Sequence, residues 1–304
     1  MTSPTSYHDP VLLKESIDGL DINPAGVYVD VTFGGGGHSR EILSRLGPQG
    51  KLYAFDQDPD AINNVIDDPR FTLIIENFRY IRRFLRLYQV KQVDGILADL
   101  GVSSHQFDEA ARGFSTRFDA RLDMRMNQKS DLDAVKVLNY YDETELNRIF
   151  VEYGELRIAH RLTRNILAAR EEQPITTVAH LKKVCAPLVP ERIEHKILAQ
   201  IFQAVRIEVN QEMDVLHEFL VQAKELLPPG GRLSVISYHS LEDRPVKRFM
   251  RNGLFTGDPE KDLYGRTRVP FKKVGSLIVP SVVEIKKNNR ARSAKLRIAA
   301  RIED

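Results

Sequence analysis

Four consecutive glycines, Gly34 to Gly37, separate the apolar alternation VYVDVT from the run HSREILSRL. One glycine suffices for most turns. Four in a row mean that bare main chain must approach something closely, or that the chain bends where a Cβ would clash. The segment before them has the period of a strand and the segment after them that of a helix. A glycine loop that ends a strand and opens a helix presents free backbone N–H groups and the positive end of a helix dipole. This pattern points to a parallel α/β sheet with a ligand at its edge.

The following segments extend that reading. KLYAFD, FTLII and VDGILADL are further strands, with helical patterns over PDAINNVI and Arg79 to Tyr88 between them. Strand–helix alternation of this kind implies right-handed crossovers and a parallel sheet. Residues 100–128 then read as a long Gly, Ser, Asp and Arg loop, and residues 131–227 as helical throughout. In DETELNRIFVEYG, Asp142 and Glu145 fit a capping box, while Leu146, Ile149, Phe150 and Tyr153 share a face. LPPGGRLSVISYH returns to turn and strand. VVEIKK and AKLRIAARI read as a closing antiparallel pair. The expected organisation is therefore a sheet domain of 1–107 and 209–304 with an all-helical insertion at 108–208.

Three ligand classes could use the glycine loop. A nucleoside triphosphate requires G-x-x-x-x-G-K-[ST], and no Lys-Ser or Lys-Thr follows here. A dinucleotide requires G-x-G-x-x-G, and Ser39 stands where the last glycine would fall. S-adenosylmethionine requires an acid-initiated glycine loop; Asp30 followed by Thr32, Gly34 and Gly36 fits, with Thr in place of the first glycine. Asp56 ends the second strand about twenty residues after the loop, where a carboxylate can accept from both ribose hydroxyls. Asn77 and Phe78 close the third strand, near an adenine, and Asp99 closes the fourth.

Charge is unevenly spread. From Arg244 to Arg301 there are 16 Lys or Arg against four acids, although the whole chain carries only +2. Arg79, Arg82, Arg83, Arg86 and Lys91 form a second basic group. Such asymmetry suits a phosphate-backbone partner. No run of about 18 apolar residues is present, so no membrane partner is expected. The N-terminus lacks the pattern of a secretion signal, and Cys185 is the only cysteine. Together these favour the cytoplasm. No His, Cys or Asp group has metal-ligand spacing, so no catalytic metal is expected.

The stretches DVTFGGGGHS, DGILADLGVSSHQFD, RGFS, LDMRM, FQAVRIEVNQE, GGRLSVISYHSLEDRPVKRFM and RARSAKLR, with the opening HDPVLLKESIDGL, resemble the bacterial small-subunit ribosomal RNA methyltransferase H family. The resemblance runs from about residue 8 to 301. It implies a Rossmann-like class I methyltransferase sheet with an inserted helical domain. It also implies transfer of a methyl group from S-adenosylmethionine to N4 of a cytidine in 16S rRNA, near the decoding centre of the 30S subunit. Carried over by motif, the cofactor contacts are Gly36, Gly37, His38, Asp56, Phe78, Asp99 and Gln106. This chain departs from the family pattern at Ala120 and Arg121, where Gly-Pro is usual, and at Asn289, where Pro is usual.

The exocyclic amine of cytosine is a weak nucleophile, because its lone pair is conjugated into the ring. Positioning and local electrostatics must do most of the catalysis. Asp99 is the expected acceptor beside the amine, and His239 in SYHSLEDR the expected second wall. Ser103 and Ser104 either line the base pocket or cap a turn. Glu242, Asp243 and Arg244 are expected to cap the next helix and pair locally. Arg244, Lys247, Arg248 and Arg251, and Arg290, Arg292, Lys295 and Arg297, are candidate RNA contacts. The helical insertion, with Arg157, Arg161, Arg164 and Arg170, fits either an RNA-facing lobe or the interface of a homodimer.

Overall fold

The computed structural model describes residues 10–259, 261, 264–265 and 267–303. The chain divides into two compact units, Met1–Gly101 with Met213–Asp304, and Val102–Glu212.

The first unit is built on a seven-stranded sheet of order β3-β2-β1-β4-β5-β7-β6. The strands are β1 Val27–Asp30, β2 Lys51–Phe55, β3 Phe71–Ile74, β4 Gly95–Asp99, β5 Arg232–Ser237, β6 Phe271–Ile278 and β7 Lys295–Arg301. Pairing is parallel from β3 through β5, and β7 runs antiparallel to both of its neighbours. This is the strand order of the Rossmann-like class I methyltransferases. The sheet's helices are α1 Leu13–Asp18, α2 Gly37–Arg45 and α3 Ile81–Leu87.

The second unit contains α4 Ser104–Asp108, α5 Ala134–Tyr140, α6 Glu143–Glu152, α7 Ala159–Glu172, α8 Val178–Cys185 and α9 Glu194–Asn210. The chain then returns to the sheet with α10 Glu212–Leu226, α11 Ser240–Asn252 and α12 Val282–Lys287.

The sheet is buried on both faces, which is why its central strands are nearly continuous apolar runs. Alternation assigns the residues to faces. Tyr28, Leu52 and Leu97 pack with Ile17 and Leu20, with Ile42 and Leu43 of α2 and with Leu46 just after it. Val29, Tyr53 and Ile96 pack on the other face with Ile81 and Leu85 of α3, Phe219 of α10 and Phe249 of α11. In register, Tyr28 lies between Leu52 and Gly95. Strand order reverses at β1, which makes the carboxyl ends of β1 and β4 the crevice for a ligand.

The helical unit has its own core, including Leu138, Phe150, Leu162, Ile166, Leu181, Ile201 and Val205. Cys185 is fully buried there, and burial pushes its thiol up to about 12. Several residues from the motifs quoted above hold this unit together. Arg112 donates to the carbonyls of Arg125 and Met126 at 2.9 and 3.1 Å. Asn210 accepts from Met126 N and donates to the Met124 carbonyl, both at 2.8 Å. Arg206 pairs in a fork with Glu212 at 2.8 and 2.9 Å. Where Gly-Pro is usual, Arg121 donates to Asp133 at 2.6 Å.

Three expectations about local structure need correction. VVEIKK is not a strand but α12: the Ser281 hydroxyl accepts from Glu284 N and caps it. The true partner of AKLRIAARI is β6, whose Lys272, Lys273 and Gly275 hide the alternation. PDAINNVI forms a 3₁₀ helix over Pro59–Asn64 rather than an α-helix. The stretch 100–128 is not all loop, because Ser103 and Gln106 form a capping box that starts α4. Among the described residues no helix is long and apolar enough to cross a membrane.

Candidate active site

The site is assembled at the carboxyl edge of the sheet, in the first unit. β1 delivers Asp30, fully buried, whose carboxylate accepts from Thr32 N at 3.1 Å and from the Ser39 hydroxyl at 2.7 Å. One acid thereby clamps the two ends of the glycine loop. Thr32, in place of the expected first glycine, has a purpose here: its hydroxyl accepts from Asp99 N at 2.7 Å, latching the loop to β4. Asp56, after β2, accepts from Gly34 N at 2.7 Å and from Asp58 N at 2.9 Å.

The glycines answer first to the chain itself. Gly36 is left-handed, with φ of 75°, and a Cβ there would lie 2.8 Å from the Phe33 ring. A Cβ on Gly37 would lie 2.2 Å from Pro10. Gly36 is also the N-cap of α2, and no side chain caps that helix. The start of α2 is therefore polarised positive without a built-in anion.

His38 is buried, and its Nε2 lies 3.2 Å from the Val11 carbonyl. A carbonyl only accepts, so Nε2 carries the proton and Nδ1 faces Asp99, 3.9 Å away. Across the site, the Tyr238 hydroxyl donates to Asp99 at 2.7 Å. The adjacent backbone N–H of Tyr238 donates to Glu242 at 2.7 Å, and Glu242 lies 3.2 Å from His239 Nε2. His38, Asp99, Tyr238, Glu242 and His239 thus form one continuous polar chain from the α2 terminus to the start of α11.

Asp30, Asp56 and Asp99 are each raised to about 6, chiefly because burial disfavours their charge. The Asp30 carboxylate adds to the rise at both of the others. Tyr238 is pushed well up, by burial and then by the Asp99 charge beside it, so it remains a donor. Three carboxylates around a glycine loop make its surroundings negative, which disfavours pyrophosphate and suits a ligand that carries positive charge.

The other expected residues fall as follows. Asn77 donates to Gln57 at 2.8 Å and so ties the end of β3 to that of β2. Phe78 is partly buried and packs edge-on against Phe219, with centroids 5.3 Å apart. Gln106 belongs to the helical unit, where it is buried in the α4 capping box. Ser103 is the cap of that box, and the Ser104 side chain lies outside the described residues. Glu242 caps α11 as expected, but Asp243 does not pair with Arg244; it holds Arg297 at 2.7 and 3.1 Å and Lys295 at 3.6 Å.

Two of the basic candidates on α3 and its approach are neutralised: Arg79 pairs with Glu218 and Arg82 with Glu225. Arg170 donates to the carbonyls of Leu138 and Tyr141, a structural use, whereas Arg157, Arg161 and Arg164 are exposed. Tyr238 has no motif of its own in the sequence; its one signal is an aromatic directly after the fifth strand, beside His239.

Comparison with known proteins identifies the family. The profile of the MraW methylase family matches residues 5–302. A Flavobacterium johnsoniae protein named ribosomal RNA small subunit methyltransferase H is 66% identical over 302 residues, covering 99% of this chain and 100% of that one. A protein of the same name from Flavobacterium psychrophilum is 68% identical over 288 residues, covering 95% of this chain and 99% of its own. Among solved structures, an rRNA methylase from Streptococcus thermophilus aligns over 95% of each chain at 12% identity, with a TM-score of 0.43. The chain belongs to the MraW methylase family.

Proposed function

We propose that the protein methylates N4 of a cytidine in 16S rRNA, near the decoding centre of the small ribosomal subunit, with S-adenosylmethionine as the donor. The observation that carries this reading is the ring of three raised carboxylates around an uncapped helix start. A sulfonium amino acid matches both halves. Its carboxylate suits the α2 terminus and its positive groups suit the acids, whereas a dinucleotide phosphate would meet like charge. The relatives named above supply the substrate class.

In this reading Gly36, Gly37 and His38 shape the wall against the donor's amino-acid end. Asp56 faces its ribose, and Phe78 borders its adenine. The donor supplies an electrophilic methyl group. The chain's own work is to hold the amine and receive charge. Asp99, raised to about 6, is largely ionised at neutral pH, yet basic enough to accept a hydrogen bond from the amine as its nitrogen becomes positive. Tyr238 holds that carboxylate in one orientation, and His239, held by Glu242, forms the opposite wall. The exposed Arg157, Arg161 and Arg164 of the helical unit offer phosphate contacts.

The test is transfer of labelled methyl from S-adenosylmethionine to small subunits from a strain lacking the enzyme, followed by nuclease digestion and mass mapping. The expected product is N4-methylcytidine with wild type and its loss with Asp99→Ala. Label on C5 of cytosine, or no label with wild type, would overturn the assignment.

A further inference from the structure

Beyond α11's first turn lies a cavity of about 320 Å³ that the reaction does not use. Its floor is apolar and buried: Met250 of α11, Phe271 of β6 and Ile298 of β7. Its rim is cationic: Lys247 and Arg251 of α11 and Lys273 of β6, all exposed. Arg297 also borders it, but its charge is already matched by Asp243. A bulge opens the outer wall. Pairing of β6 with β7 skips from Val274 to Ile278, and Gly275 takes the left-handed φ of 66° that the skip requires. Ser276 and Leu277 are thereby carried out of the ladder and line the cavity mouth.

Lys247 and Arg251 stand one turn apart on one helix face, a like-charge spacing that costs stability until an anion sits beside it. Among the described residues no acid borders the cavity. Apolar floor with cationic rim is the chemistry that takes a nucleotide, the base on the floor and its phosphates on the rim. Position supports the same occupant. At 1.5 Å per helical residue, Lys247 and Arg251 lie roughly 12 to 18 Å along α11 from His239. A single strand with its target base at His239 would therefore cross the cavity a few nucleotides away.

We propose that this groove binds a single-stranded RNA nucleotide flanking the methylated one, and so contributes to substrate selection. The proposal rests on the RNA-methylating function inferred above.

The experiment is fluorescence anisotropy of a labelled single-stranded RNA oligonucleotide carrying the target cytidine, titrated with full-length protein at several salt concentrations. Lys247→Ala/Lys273→Ala should weaken binding by about tenfold and lower the salt slope by roughly 1.4, two single-strand phosphate contacts. Affinity for S-adenosylmethionine, measured alongside, should not change. Leu277→Asp, at an already exposed position, should weaken RNA binding without altering the melting temperature. The charge-matched control Lys286→Ala/Lys287→Ala on α12 should have a much smaller effect. Equal losses in control and groove variants would reduce the effect to diffuse charge and overturn the groove. Unchanged RNA affinity in both groove variants would overturn it too, while leaving methylation intact. Wild-type protein that neither binds nor methylates RNA would instead end the functional reading itself.

Discussion

Tyr238 is where a single residue can be asked the most direct question. Its hydroxyl is a donor to Asp99, and Tyr238→Phe removes that donor alone. The ionised carboxylate loses a hydrogen bond, so its pKa climbs further above about 6. The acid limb of the rate–pH profile should shift upward by about one unit, with rate nearly recovered at alkaline pH. An unmoved limb would remove Asp99 from the reaction. Gly36→Val is a blunter change than the sequence suggests. It should cost about 1–3 kcal/mol of stability through the left-handed φ and the Phe33 contact, read by denaturant unfolding, whether or not donor is present. A variant as stable as wild type would contradict the loop conformation. Asp30, Asp56 and Asp99 were legible in the sequence because each is an acid at the end of an apolar run. The roles of Tyr238 and Thr32 were not, because their partners lie 139 and 67 positions away along the chain.

Among the elements, local chemistry decided what could be read. The capping box of α6 was visible because Asp142 and Glu145 bond each other's backbone three residues apart. α8 has a cap of the same local kind, the Thr177 hydroxyl accepting from His180 N three residues on. Thr177→Ala should cost the helical unit about 1 kcal/mol in urea unfolding; no change would mean that the cap is redundant. β6 was not visible. An edge strand can carry lysines and a bulge because only one side must pair, and those features erase the alternation that identifies a strand. The reverse error at VVEIKK has the matching cause: β-branched residues favour strand, but the Ser281 hydroxyl accepts from Glu284 N and caps the segment as a helix.

At the scale of the whole molecule, charge is sorted by purpose. Carboxylates gather at the switch point of the sheet, and exposed cations gather along α11 and β6. These acids carry a stability consequence whose sign is fixed. Their folded pKa values, about 6, exceed the unfolded value, so the native state binds more protons between about pH 4 and 6. Their contribution to stability is present at low pH and is lost as pH rises through about 6. A positively charged donor reverses that loss, because it favours the ionised acids.

The most direct test is therefore calorimetric titration of the wild-type protein with S-adenosylmethionine, and with its uncharged-sulfur product S-adenosylhomocysteine, from about pH 5 to about pH 8. Affinity for the sulfonium should strengthen as pH rises through about 6, more steeply than affinity for the product. Affinity for both that does not vary with pH, or tighter binding of a pyrophosphate dinucleotide than of either, would contradict the placement of the donor among these carboxylates.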